Sequence, residues 1–380
     1  MTHAKPDRGS PSHATLRARI AAAQAAVADF AADLIVITDR ENLMYFTGIT
    51  EIECGGLVIP AAGEPVLVTL WLDELHFRDR LPWPIEPYVY GRDSLAAGLC
   101  RVINSRGFRA PRIACSKYFI EVGVFKTLER ELPGMTIVDG TQLFYRVRAV
   151  KDAAEIALIR RAADCAMAGM EAAVTAVRPG MTETAVLGIA EQAMRAAGSE
   201  GHPFRMQVLN ADRQMMVHPY ATDTVIADNQ AVVIHLGASV GGYIAKLSRT
   251  VGLGRVPDAS IRIYDLVRRA QEAAIAAIRP GRPVREVYDA AWQVVDAAGL
   301  GPALIDDIGY GIGLRQSEFY PIIGRNRDHI LERDMAVDLM FPTIYTPHGG
   351  GPRLADTVLI EDEAVVLTPY SHELIRKETT

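Results

Sequence analysis

The alternation of apolar and polar positions predicts a chain of helices and short strands in two blocks. Ala14–Phe30 is alanine-rich with Leu16, Ile20 and Val27 towards one side, the pattern of a helix. Leu34–Ile37 is a continuous apolar run, short enough for a buried strand. Leu57–Pro60 and Pro65–Val68 flank the turn Ala61–Glu64 and predict a hairpin, and Thr136–Asp139 predicts another strand. From Asp152 onwards Ile156, Ile159, Ala163, Ala166, Met170 and Ala173 recur at helical spacing, up to Arg178-Pro179-Gly180, and Thr182-Glu183 opens the next helix. The same grammar returns later: a helix over Ile261–Ile278, a stop at Arg279-Pro280-Gly281, and a helix from Val284. A repeat this long predicts two related halves about a pseudo-twofold axis.

Between the two helix pairs lie Val232–Ala238 and Gly242–Thr250, which predict two strands around a glycine turn. His235 sits inside the first strand and Lys246 inside the second. Neither belongs in a buried sheet unless a partner or a task holds it there. Lys246 and Ser248 are two residues apart and share a face, as do Asp338 and Met340 in the run Val337–Phe341.

A chain of 380 residues predicts two domains, 1–148 as an α/β unit and 149–380 as the second, with a hinge at Arg146–Lys151. The net charge of −6, without a basic run, excludes nucleic acid as the main partner. No apolar run is long enough to span a membrane, and the polar start has no signal-peptide pattern. Cys54, Cys100, Cys115 and Cys165 have no metal-type spacing and predict reduced thiols, hence a cytoplasmic protein.

Several segments together carry a resemblance: Asn42-Leu43-Met44-Tyr45-Phe46-Thr47-Gly48, the scaffold residues Gly237, Gly242, Tyr243, Arg249 and Thr250, the loop Gly309–Gly313, and Arg353–Leu359. In that order they resemble the pita-bread superfamily, which includes creatinase, prolidase, methionine aminopeptidase and ectoine hydrolase. The resemblance covers nearly the whole chain. It implies an α/β N-terminal domain followed by an α+β pita-bread domain with internal duplication.

Metal-dependent members hold a pair of divalent ions with aspartates, a histidine and glutamates. Carried over by position, His235 and Lys246 replace the aspartates and Tyr310 replaces the histidine. Met340 is taken as the replacement for the glutamate that precedes a proline, and Ala355 for the glutamate before Asp356. An ammonium about 4 Å from a dication is repelled by roughly 8 kcal/mol at an effective dielectric near 20. Met340 is soft and Ala355 has no donor. The expectation is therefore no cofactor and no dinuclear site, with a single soft ion on His218 and His235 left open.

The resemblance to metal-free members, creatinase and ectoine hydrolase, implies a metal-independent hydrolase of a C–N bond in an amidine, guanidine or amide, on a small carboxylate-bearing substrate. Its proton-handling residues are then His218, His235 and Glu318. Lys246, Ser248, Tyr310, Arg205, Asp338 and Met340 are expected to line the substrate cavity. Lys246 is read first as a clamp for negative charge and second as a partner of Asp338. A homodimer is expected, with Tyr45 or Phe46 near the roof of the cavity. A binding protein that has lost the chemistry and a lyase on the same scaffold are the alternatives.

Overall fold

The computed structural model describes residues 11–116, 120–216, 219–341, 344, 346 and 351–378. The chain divides into two compact units, Met1–Arg148 and Ala149–Thr380.

In the first unit the helices are α1 (His13–Val27), α2 (Arg40–Thr47), α3 (Trp71–Phe77), α4 (Leu95–Ser105), α5 (Val122–Glu131) and α6 (Thr141–Ala149). The strands are β1 (Leu34–Ile37), β2 (Gly55–Pro60), β3 (Val66–Leu70), β4 (Ile85–Tyr88), β5 (Arg112–Cys115) and β6 (Thr136–Asp139). They form one mixed sheet in the order β4-β3-β2-β1-β5-β6. The expected hairpin is β2–β3, paired antiparallel. β1 is buried on both faces, which is why it reads as an unbroken apolar run. The Asn42–Gly48 segment is helical: the Asp39 carboxylate accepts from the Asn42 backbone N–H at the helix start. Gly48 ends the helix at φ 67°, a conformation that suits glycine.

Tyr45 and Phe46 are core residues of this unit. The Tyr45 ring lies under the Arg19 guanidinium at 4.3 Å, and its hydroxyl donates to the Val147 carbonyl at 2.7 Å. Arg146–Ala149 is the last part of α6 rather than a loop, because nothing in Arg146-Val147-Arg148-Ala149 breaks a helix. All four cysteines are free thiols, and burial raises Cys100 and Cys115 to about 11.

The second unit is built from two helix pairs and one large sheet. The helices are α7 (Ala153–Ala176), α8 (Glu183–Ala196), α9 (Asp258–Ala277) and α10 (Val284–Asp296). The strands are β7 (Gln207–Leu209), β8 (Gln230–Val240), β9 (Tyr243–Leu253), β10 (Asp307–Gly311), β11 (Glu318–Gly324), β12 (Ala336–Phe341), β13 (Leu354–Ile360), β14 (Ala364–Val366) and β15 (Ile375–Lys377). The sheet order is β11-β10-β12-β13-β9-β8-β7, with β14 on β13 and β15 beside β9. α7 opens on a reciprocal capping box, with Asp152 and Glu155 each bonding the other's backbone N–H. α9 and α10 bury Val267, Ala270, Val287, Tyr288 and Ala291 together with Val337 and Leu339 of β12, at about 1.5–3 kcal/mol per large apolar side chain.

The repeat in the sequence is a repeat in hydrogen bonding. The Gly180 N–H donates to the Ile226 carbonyl at 2.9 Å, and Ile226 returns a bond to Met181 at 2.7 Å. The Gly281 N–H donates to Leu331 at 2.7 Å, and Leu331 returns a bond to Arg282 at 2.9 Å. Each helix–Pro-Gly–helix unit thus ties its turn to a later strand-like segment in the same way, as pseudo-twofold duplication requires.

Candidate functional site

The sheet of the second unit brings the singled-out residues to one face. β8 and β9 pair antiparallel about Gly241 and Gly242, whose φ values of 58° and 79° let the hairpin turn tightly. His235 lies opposite Ser248, and Gln207 of β7 lies opposite His235. Ser248 pairs in turn with Ala355 of β13, and Ala355 with Met340 of β12. One step along, Gly237 lies opposite Lys246, Thr357 opposite Asp338, and Asp338 opposite Tyr310 of β10. Directly paired residues share a face, and so do residues two apart. His235, Lys246, Ser248, Ala355, Met340, Asp338 and Tyr310 therefore form one continuous surface.

Lys246 and Asp338 are joined across this face. Lys246 is 3% exposed and Asp338 fully buried, and the Lys246 Nζ lies 2.6 Å from Asp338 Oδ2. Neither Asp338 oxygen has a hydrogen-bond partner among the described residues, so the contact with Lys246 is an ion pair. Burial pushes the Asp338 carboxyl above its ordinary range, against the opposing pull of Lys246. Of the two roles expected for Lys246, partner of Asp338 is the one this geometry displays.

An aromatic ring that the sequence reading missed lies against the face. Phe204 is half-buried, 5.1 Å from the His235 ring between centroids, with the Lys246 Nζ 5.7 Å from its own centroid. A side chain at Gly237 would overlap the Phe204 ring. The only hint in the sequence is thus the missing side chain at 237. Its neighbour Arg205 is exposed and stacks on Tyr220 at 4.2 Å.

The other expected residues are distributed as follows. The Tyr310 ring packs edge-on against Phe319 at 5.8 Å, and burial, aided by Asp307, keeps its hydroxyl protonated well past neutrality. The Ser248 hydroxyl donates to the Ile234 carbonyl at 3.2 Å and is fully buried. Glu318 is 1% exposed and bonded to the Lys151 ammonium at 3.3 Å, which also donates to Ala149. Counting back from Pro342 places Phe341, not Met340, directly before the proline; Met340 is one residue earlier. His218 lies outside the described residues. The backbone on either side of it is anchored: Arg353 donates to the Met216 carbonyl at 2.7 Å, and Gln207 to Pro219 at 3.0 Å.

Behind the face, Arg249 and Asp356 form a second buried pair at 2.7 Å. The guanidinium also donates to the carbonyls of Ser248, Ala355, Thr368, Tyr370 and Ser371, and Asp356 further accepts from Thr368 and Gln271. Burial would push the Asp356 carboxyl up, but Arg249 and His372 outweigh it and hold it below the ordinary range. This network ties β9 to β13 and to the segment 368–372, so Arg249 is a structural residue.

Comparison with known proteins gives this architecture its relatives. Residues 19–150 match the creatinase/prolidase N-terminal domain and residues 157–362 match metallopeptidase family M24. The chain is 32% identical over 230 residues to the Xaa-Pro dipeptidase of Pyrococcus furiosus, covering 60% of this chain and 66% of that protein. It is 26% identical to the uncharacterized peptidase YqhT of Bacillus subtilis, over 90% of this chain and 95% of that one. The crystal structure of dipeptidase PepE from Mycobacterium ulcerans superposes with a TM-score of 0.84 at 26% identity, covering 97% of this chain and 99% of the other. These relatives are named as peptidases and dipeptidases. They overturn the expectation of a creatinase-like hydrolase of amidines or guanidines.

A metallopeptidase family implies metal, and the residues here do not fit one. Among the described residues no group of three or more His, Cys, Asp or Glu side chains could hold an ion. The positions expected to bind carry an imidazole, an ammonium, a phenol and an alanine methyl, with Phe341 before the proline and Met340 one residue earlier. Among the described residues singled out on the face, the carboxylate is Asp338, and it is ion-paired with Lys246. A site for hard divalent ions needs several carboxylate or carbonyl oxygens. The family scaffold is nevertheless present in both domains, from the capped helix pairs to the Arg249–Asp356 network, and this chain belongs to metallopeptidase family M24.

Proposed function

We propose that the second unit receives a short peptide of dipeptide size on the face beneath Phe204 and acts on its amide bond. The observation that carries this reading is the convergence of Lys246, His235 and Tyr310 on one buried face beside an aromatic ring. A dipeptide offers two oxygen-rich groups, the peptide carbonyl and the terminal carboxylate, and an apolar side chain. The Lys246 ammonium and the Tyr310 hydroxyl are donors for the oxygens, and Phe204 is a surface for the apolar part. A tyrosine hydroxyl is protonated at neutral pH in any case, and burial shifts its titration further upward. His235 supplies the imidazole of the face, the group proposed to take and return a proton.

The relatives named as dipeptidases support this substrate class, and one of them is named for Xaa-Pro, so dipeptides with proline in second place are the first to test. The full-length protein is incubated with a dipeptide panel, with and without added manganese, and followed by release of free amino acids and by calorimetric binding. Turnover or binding of dipeptides, stronger than of longer peptides and weakened at least tenfold by Phe204→Ala, is expected. A panel with neither turnover nor binding contradicts the reading.

A further inference from the structure

Every buried carboxylate of the second unit among the described residues has an internal partner. Glu155 accepts from the Tyr243 hydroxyl at 2.8 Å and from the backbone N–H of Asp152 at 2.9 Å. Glu183 receives Arg213 and the N–H groups of Asn210 and Thr222. Glu318 is bonded to Lys151, Asp356 to Arg249, and Asp338 to Lys246. Three of these are ion pairs between buried side chains, Asp356 meeting His372 as well, and none leaves a carboxylate over for an exogenous cation.

The Lys246–Asp338 pair differs from the others in where it lies. β9 and β12 are separated by β13, so the two backbones are roughly 10 Å apart at ordinary strand spacing. The pair bridges that gap over Thr357, which lies opposite Asp338 and exchanges hydrogen bonds with the Lys246 backbone N–H and carbonyl at 2.9 and 3.0 Å. A lysine is long enough to reach. Its ammonium meets Asp338 on the same surface as His235, Ala355 and Tyr310, the positions at which metal-dependent relatives are expected to hold their ions.

We propose that Lys246 is a built-in cation: its ammonium serves as the counter-charge of this sheet face, in the place where the family fold otherwise holds divalent ions, so the chain takes up no ion pair there. The argument is electrostatic and local. A buried carboxylate demands a positive partner, and a face already balanced by an ammonium repels a second cation. Retaining Asp338 without Lys246 creates a demand for a small cation; removing both abolishes the demand. The inference is independent of the peptide reading, since it concerns uptake of ions and not of substrate.

The test uses the full-length protein, stripped with chelator and dialysed against Mn2+ or Zn2+, with bound metal measured by mass spectrometry and melting followed in parallel. The wild type is expected to show no saturable uptake near one or two equivalents and no rise in melting temperature. Lys246→Ala is expected to melt lower and to be restored in part by millimolar methylammonium or ethylammonium, which refill the vacated ammonium position, while the wild type does not respond. Saturable stoichiometric Mn2+ or Zn2+ in the wild type with a rise in melting temperature overturns the proposal. So does a Lys246→Ala protein as stable as the wild type or indifferent to the amines. If Lys246→Ala does not fold, Lys246→Gln combined with Asp338→Asn is measured against Asp338→Asn alone. The double variant is expected to melt closer to the wild type, and one that melts no closer overturns the proposal.

Discussion

At the scale of single residues, buried charge is the distinctive feature of this chain. Arg249 shows how much rests on one side chain: it is fully buried, paired with Asp356, and bonded to carbonyls from three segments of the second unit. Arg249→Met leaves the Asp356 charge without its guanidinium, and removal of one partner of a buried pair costs about 3–5 kcal/mol. Urea unfolding should show that loss, and a loss below about 1 kcal/mol would mean the pair does not hold the strands. The residues of the face were only partly readable in advance. His235 and Lys246 stood out because neither suits an apolar strand. The pairing of Lys246 with Asp338 was one of two readings, since it depends on β13 lying between β9 and β12, an order the linear chain does not display. The contact of Glu318 with Lys151 was not legible for the same reason: the two are 167 residues apart.

At the scale of elements, the helices were the most legible because caps and periodicity are local. Asp152 and Glu155 form a full capping box, and Asp152→Ala is expected to cost about 1 kcal/mol, read as a lower urea midpoint. No change beyond a few tenths would show that the box adds nothing to α7. The strands were legible as runs, but their faces were not. Gly237 illustrates this. Its place in β8 is set by the Phe204 ring, which arrives from a loop more than thirty residues earlier. Gly237→Ala is expected to push Phe204 off the face, detectable as increased tryptophan-independent ring mobility by NMR and as weaker dipeptide binding. An unchanged Phe204 environment contradicts that packing. The proline-adjacent position is Phe341 by count along the chain, and β12 adds only which partner each residue meets, Met340 opposite Ala355 and Phe341 opposite Leu354.

At the scale of the molecule, two domains and a duplicated second unit were legible from composition, length and the repeated Arg-Pro-Gly turn. The substrate class was not. Missing metal ligands pointed towards metal-free C–N hydrolases, while full-length relatives named as peptidases pointed elsewhere. The pH dependence of stability follows from two buried carboxyls with opposite shifts. Asp356 is held below its ordinary value, so its contribution is full above about pH 4, near the unfolded value, and is lost as pH falls through the folded one. Asp338 is raised, so its contribution is present below about pH 4 and is lost as pH rises through its folded value. Asp356→Asn should therefore flatten the acid limb of a urea-midpoint profile, and Asp338→Asn should steepen it. Profiles that move the other way refute the assignment.

The most direct test of the charge-balanced face is a crystal structure of the protein grown with saturating Mn2+, with anomalous scattering recorded at the manganese edge. No anomalous peak over the β8–β9–β13–β12 face and an intact Lys246–Asp338 contact is the expected result. Two neighbouring peaks there, with the Lys246 side chain displaced from Asp338, would contradict the account.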